Sequence, residues 1–256
     1  MNKYIPLSYY VIIPFILCSL INVHAAESSD SIPKPEIHFQ VSLNGNYSKN
    51  TATQLLVTTN NYLTIQNKKI IFSQWLNYEY GTLMSSSSSK TITLQNEIQS
   101  NSKLAYQLNR FEPFGLFGFE RSNLRSISAR FYTILGSEYK ILKTKFHQVS
   151  PFLGISNEWT NYDDEDNSAY TDIFYVFGLG GAHELADNRL NIRYNGYFFK
   201  KTEKNRWRYN LSIITMFRII KPLYLSVNLT LLEDDVLGTE TIDHISTLSF
   251  GVTYKM

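Results

Sequence analysis

Cysteine is all but missing: the one thiol, Cys18, lies inside an apolar N-terminal run, Val11–Ile21. Leu17 stands where a lipidated cysteine needs a small residue, so Cys18 reads as part of a segment that is discarded. The rest of the chain then has no disulfide and no thiolate metal site, and must be stabilised by its own packing or by a membrane. Net charge is also nearly absent, +2 with acids and bases scattered along the chain, which excludes the basic footprint of a nucleic-acid binder. From Glu36 onward no convincing amphipathic helix is found. The remaining histidines, His38, His147, His183 and His244, are widely separated and fit no metal-ligand spacing, so neither a metal nor any other cofactor is expected.

What is present begins with Lys3, the apolar run, and Val23-His24-Ala25, which together have the form of a signal peptide cleaved after Ala25. An uncleaved anchor over Tyr4–Val23 would just cross a bilayer at roughly 20 residues, but Pro6, Pro14, Asn22 and the small-residue ending favour cleavage. Residues 26–35, Ser-rich with Pro33 and Pro35, read as a short disordered lead-in. About 230 residues remain after the leader, enough for one barrel or one large sandwich over 36–256. Mean hydropathy is −0.20, yet the chain carries 18 Tyr and 16 Phe. A membrane barrel reconciles the two, because only alternate residues face lipid and aromatic girdles mark both interfaces.

The dominant period is two. Trp207, Tyr209, Leu211, Ile213, Phe217 and Ile219 share one face, opposite Arg206, Arg208, Asn210, Ser212 and Arg218. Leu223, Leu225, Val227, Leu229 and Leu231 repeat the pattern, as do Ile37, Phe39, Val41, Leu43 and Tyr47 near the start. About twelve such segments are predicted. Tight turns are expected at 66–69, 108–112, 142–145, 186–188 and 220–222. Roomier connections fall between them, at 49–53, 83–90, 122–125, 161–168, 201–205 and 233–241. Leu248, Phe250, Val252 and Tyr254 carry the alternation to the chain end, the kind of strand that barrel-assembly machinery recognises, although the last residue is Met256.

The stretch Phe114-Gly-Leu-Phe-Gly-Phe-Glu120-Arg121, followed by Arg130, Gly136 and Tyr139, resembles the family of salt-induced outer-membrane proteins. Ser122 stands where that family has an aspartate. The resemblance implies an outer-membrane barrel linked to osmotic or salt stress and carries no catalytic residues with it.

Chemistry-bearing constellations are few. The acidic run Asp163–Asp166 lacks the glycine and glutamate of an EF-hand and reads as a solvated outer loop. Asp243-His244 and Asp234-Asp235 are neighbours on a strand, whose side chains point to opposite faces, so neither is expected to act as an acid/base pair. The strand phases turn Glu79, Glu97, Arg130, Glu138, Glu158, Asp172, Arg193, Arg206, Arg208 and Arg218 inward, either as a charged pore lining or as a salt-bridged closed lumen. If the lumen conducts, neutral replacement of Arg208 is expected to alter conductance, and in either case to leave folding largely intact. The expectation is an all-β, transmembrane antiparallel β-barrel of about 12 strands in the bacterial outer membrane. It is monomeric, in contact with membrane lipid and lipopolysaccharide, and non-enzymatic, with a structural or narrow small-solute channel role. The alternatives are an outer-membrane enzyme acting on lipid or peptide, and a secreted β-sandwich binding protein.

Overall fold

The computed structural model describes residues 35–49, 52–85, 91–163, 169–202, 206–234 and 244–255. The expected leader and most of the lead-in, Asp164–Asp166 of the acidic run, Asp235, Asp243 and Met256 lie outside the described residues.

Thirteen strands follow one another: β1 (Glu36–Lys49), β2 (Ala52–Asn67), β3 (Ile70–Ser85), β4 (Thr91–Tyr106), β5 (Phe111–Ser122), β6 (Ile127–Tyr139), β7 (Leu142–Lys143), β8 (His147–Tyr162), β9 (Tyr170–Leu185), β10 (Leu190–Lys201), β11 (Trp207–Ile220), β12 (Leu223–Asp234) and β13 (His244–Lys255). The two-residue β7 only trims the connection between β6 and β8, which pair directly with each other. The other twelve form the wall. Each pairs antiparallel with its successor, and β1 pairs with β13, so the sheet closes on itself and leaves no free edge. The even number of wall strands puts both ends of the barrel chain at one rim. The tight connections sit at that rim, and Lys68, Asn109 and Asn188 take the left-handed conformation there, with φ of 53°, 56° and 63°. The eleven connections fall where the turn residues predict them, within a few positions.

The distribution of side chains is inverted relative to a water-soluble protein. Among the most exposed large residues are Leu135 at 72%, Leu153 at 60%, Leu104 at 58% and Phe250 at 56%, while Arg130 and Asp234 are 1% and 0% exposed. Alternation along every wall strand produces this, since one parity faces outward and the other into the lumen. So large an apolar exterior has no stable place in water, and one closed sheet is not the two-layer sandwich. The belt is interrupted on β3 and β4, where outward Gln74, Ser100 and Ser102 hydrogen-bond one another and so satisfy most of their polar atoms locally.

The lumen is not uniform. On the β4–β10 side it is packed by Phe114, Leu116, Tyr132, Ile134, Phe152, Phe174, Val176 and Phe199. Two glycines make this packing possible. A Cβ on Gly118 would overlap the Tyr132 ring, and one on Gly178 would overlap Phe152, so each ring lies flat across the neighbouring strand. On the β12–β3 side many inward residues are small and neutral, Ser42, Asn44, Thr58, Ser226, Asn228, Ser249 and Thr253, beside the larger Tyr62, Trp75 and Tyr224.

Candidate functional site: the two halves of the lumen

A buried ion-pair cluster crosses the lumen near the rim of the longer connections. β5 brings Glu120 and β6 brings Arg130 as direct register partners, and their charged groups meet at 3.1 Å. Arg130 also reaches Glu158 on the neighbouring β8 at 3.0 Å and, across the lumen, Asp234 on β12 at 3.5 Å, a strand that is not its neighbour in the sheet. Arg208, from the first turn-proximal pair of β11, grips Glu158 with both ends of its guanidinium, at 2.7 and 3.2 Å, and approaches Asp234 at 3.9 Å. The geometry is the bidentate fork that suits arginine to a carboxylate. The Arg208 guanidinium lies over Phe199, 4.3 Å from the ring centre. Thr160 donates to Glu158 at 3.2 Å and accepts from Arg130 Nε at 3.2 Å.

The turn between β5 and β6 folds its own arginine into this cluster. Arg125 pairs with Glu120 and stands 3.9 Å from Glu97, with its backbone amide and Nε both held by Ser122 Oγ. Burial, then the neighbouring charge of Arg130, lowers the Arg125 guanidinium to about 10, which leaves it protonated at neutral pH. Three arginines thus meet four carboxylates, Glu97, Glu120, Glu158 and Asp234.

Towards the other rim a second set balances two lysines with two glutamates. Lys103 stands 3.2 Å from Glu112 and 2.8 Å from Glu138, and Lys140 stands 2.6 Å from Glu112. Arg193 crosses to β1 to donate to Gln40 Oε1 at 3.0 Å and lies over Tyr62 on β2.

Of the ten charged residues predicted to line the lumen, the structure joins Glu97, Arg130, Glu158 and Arg208 in the first cluster and Glu138 in the second. Glu79 lies opposite Glu97 in register and accepts a hydrogen bond from Gln95. Asp172 pairs with Lys201 at 2.6 Å. Arg218 faces the short-turn rim, donating to the Asp187 carbonyl at 3.1 Å. Arg206 precedes β11 and is exposed at the rim, where its carbonyl accepts from the Lys201 amide at 2.9 Å. Sequence reasoning missed Glu120, Arg125 and Asp234. Glu120 was legible from its parity on β5, opposite outward Phe117 and Phe119, whereas Arg125 sits in a turn where parity says nothing.

The neutral half carries buried polar atoms with no hydrogen-bond partner, among them Asn44 Nδ2, Thr58 Oγ1, Asn60 Nδ2, Asn228 Oδ1 and Ser249 Oγ. Inward side chains that water reaches in part include the neutral Asn77, Gln99, Asn101, Asn195, Asn210 and Ser212, together with the charged Glu79 and Arg193 and the paired Lys103, Glu138, Asp172 and Lys201. Water or a hydroxyl-bearing solute is the natural complement for such groups. Among the described residues, no three or more His, Cys, Asp or Glu side chains gather into a candidate metal site.

No family model and no curated protein matches the chain. Solved structures are similar to it in fold. The NanC porin aligns with 86% of this chain and 100% of its own, at 11% identity and a TM-score of 0.50. An outer membrane channel from Pseudomonas putida F1 aligns over 90% and 100% at 11% identity and a TM-score of 0.47. The translocator domain of the autotransporter NalP from Neisseria meningitidis aligns over 97% and 96% at 8% identity and a TM-score of 0.46. The porin likeness shows a shared barrel fold and carries no solute with it.

Proposed function

We propose that this barrel sits in the bacterial outer membrane as a narrow channel for small, uncharged, hydrogen-bonding solutes. The observation that carries the reading is the division of the lumen. Most of the charges that could select ions are held in mutual pairs, Glu79 and Arg193 are met by Gln95 and Gln40, and Asn, Gln and Ser line much of the inward surface that water reaches. A solute passing along that surface meets donors and acceptors and little uncompensated charge. A twelve-stranded wall is wide enough to leave a passage beside the packed half and too narrow for a general porin. Lipid and lipopolysaccharide would contact the apolar belt, and assembly machinery would engage β13, whose outward Leu248, Phe250, Val252 and Tyr254 keep the alternation. We take the barrel to be a monomer without catalytic activity. Asp234, one of the carboxylates weighed for acid/base work, is fully buried against Arg130, which leaves it no route to a substrate.

Swelling of liposomes containing the refolded protein tests the reading. Small polyols are expected to enter faster than salts of similar size, with low single-channel conductance and weak ion selectivity. Folded protein that passes neither would make the barrel a closed structural element, and large charge-selective currents would overturn the neutral path. A link to salt stress rests on the resemblance around Phe114–Arg121, and unchanged expression across a range of NaCl concentrations would remove it.

A further inference from the structure

Two histidines 36 positions apart meet on the outer wall at the short-turn rim. His147 opens β8, and the antiparallel register places His183 of β9 directly opposite it. Their Nδ1 atoms are 3.1 Å apart while the ring centres are 5.3 Å apart, so the two nitrogens lie between the rings and face each other. Both side chains are half-buried.

The surroundings hold this pair in place. Thr144 receives the His147 amide on its Oγ1 at 3.0 Å and donates its own amide to the His147 carbonyl at 2.8 Å, which fixes the start of β8. Tyr194 stacks on His183 with ring centres 5.6 Å apart, and its Oη lies 3.4 Å from His183 Nε2. Tyr194 is itself seated across Gly181, where any Cβ would overlap its ring. When Tyr194 Oη accepts the Nε2 proton, His183 is left with a lone pair on Nδ1, the atom that faces His147. An outer partner on the far ring nitrogen is the usual device that sets the tautomer and orientation of a metal-ligating histidine.

We propose that His147 and His183 form a two-imidazole site for a late first-row divalent cation, with Cu2+ the tightest and Ni2+ and Zn2+ weaker. An ion about 2.0–2.1 Å from each nitrogen would subtend an angle of roughly 100° across the 3.1 Å separation, between square-planar and tetrahedral values. Binding replaces the hydrogen bond between the two Nδ1 atoms. The proton that His147 Nδ1 shared moves to its own Nε2, so both imidazoles stay neutral and the ion takes both Nδ1 lone pairs, with water completing its shell. The site stands apart from the lumen and does not depend on whether the barrel conducts.

The test is a Cu2+ titration of the detergent-refolded protein, free of any histidine tag, followed by calorimetry and electron paramagnetic resonance. One Cu2+ per chain with nitrogen splitting from two imidazoles is expected. His147→Gln and His183→Gln should each weaken binding at least tenfold, Tyr194→Phe should weaken it severalfold, and His38→Gln should leave it unchanged. Heat-modifiable gel migration confirms that each variant is folded. Wild-type affinity in either single histidine variant would overturn the site. So would a wild-type spectrum without two nitrogen ligands, a result that needs no variant at all.

Discussion

At the scale of single residues, the lumen makes Arg208 a test of what the ion-pair cluster does. Its two hydrogen bonds to Glu158 and its stacking on Phe199 place a guanidinium where water cannot replace it. The strand pattern alone suggests that neutralising Arg208 would change conductance and spare the fold. The structure revises this, because Arg208→Met leaves Glu158 and Asp234 buried with only Arg130 and polar neighbours to compensate them. Breaking a buried pair from one side costs about 3–5 kcal/mol, far more than the pair contributes relative to apolar residues of the same size. Urea unfolding of the refolded barrel should therefore show Arg208→Met destabilised by about that amount. The double variant Arg208→Met with Glu158→Leu should lose less than the sum of the two singles, since each removes part of the other's penalty. Equal stability of Arg208→Met and wild type would mean that the cluster is hydrated.

At the scale of elements, the phase of β12 decides which substitutions the membrane tolerates. Leu225 and Val227 face outward, between inward Tyr224, Ser226 and Asn228. Arg in place of Leu225 or Val227 is expected to cost roughly 2–4 kcal/mol if the position lies near the bilayer midplane and less towards either interface. Folding yield into lipid vesicles measures it, and normal assembly of both variants would reverse the assigned faces. This much was legible in the sequence because a strand's two faces are fixed by parity, and because Asn and Pro punctuate the turns. The pairing of charges was not. Glu120 and Arg130 are local partners across one hairpin, but Arg130 with Asp234, Arg208 with Glu158, and His147 with His183 each depend on closure or on register between strands. Register is set by where every turn begins, and a boundary uncertain by two residues moves each cross-strand partner by as much.

At the scale of the whole molecule, stability hinges on one seam. Among the described residues, β1 and β2 pair over fourteen positions from Glu36–Gln66 to Lys49–Thr53, whereas β1 and β13 pair over six, from Gln40–Lys255 to Gly45–Phe250. The seam brings together the first and last wall strands, so its closure carries the largest loop cost of any pairing in the chain. It is held from inside by the hydrogen bond between Ser42 and Thr253 at 2.7 Å and by Asn44, which lies across Gly251 to accept from Ser226 at 2.9 Å. A side chain at Gly251 would collide with the β1 backbone, so the register has a steric lock as well. Leu43 and Val252 are outward partners across this seam. Direct antiparallel partners have Cα atoms about 4.5–5.5 Å apart, within the range that a disulfide spans. Leu43→Cys with Val252→Cys should therefore cross-link on oxidation, and the linked barrel should resist heat and urea until reduced. If Leu43→Cys instead links to cysteine placed at Phe250 or Tyr254, the seam is shifted by two residues. The lumen contacts across it, Arg193 with Gln40 and Ser226 with Asn44, would then have to be reassigned, and with them the small, neutral inner surface of β12, β13 and β1.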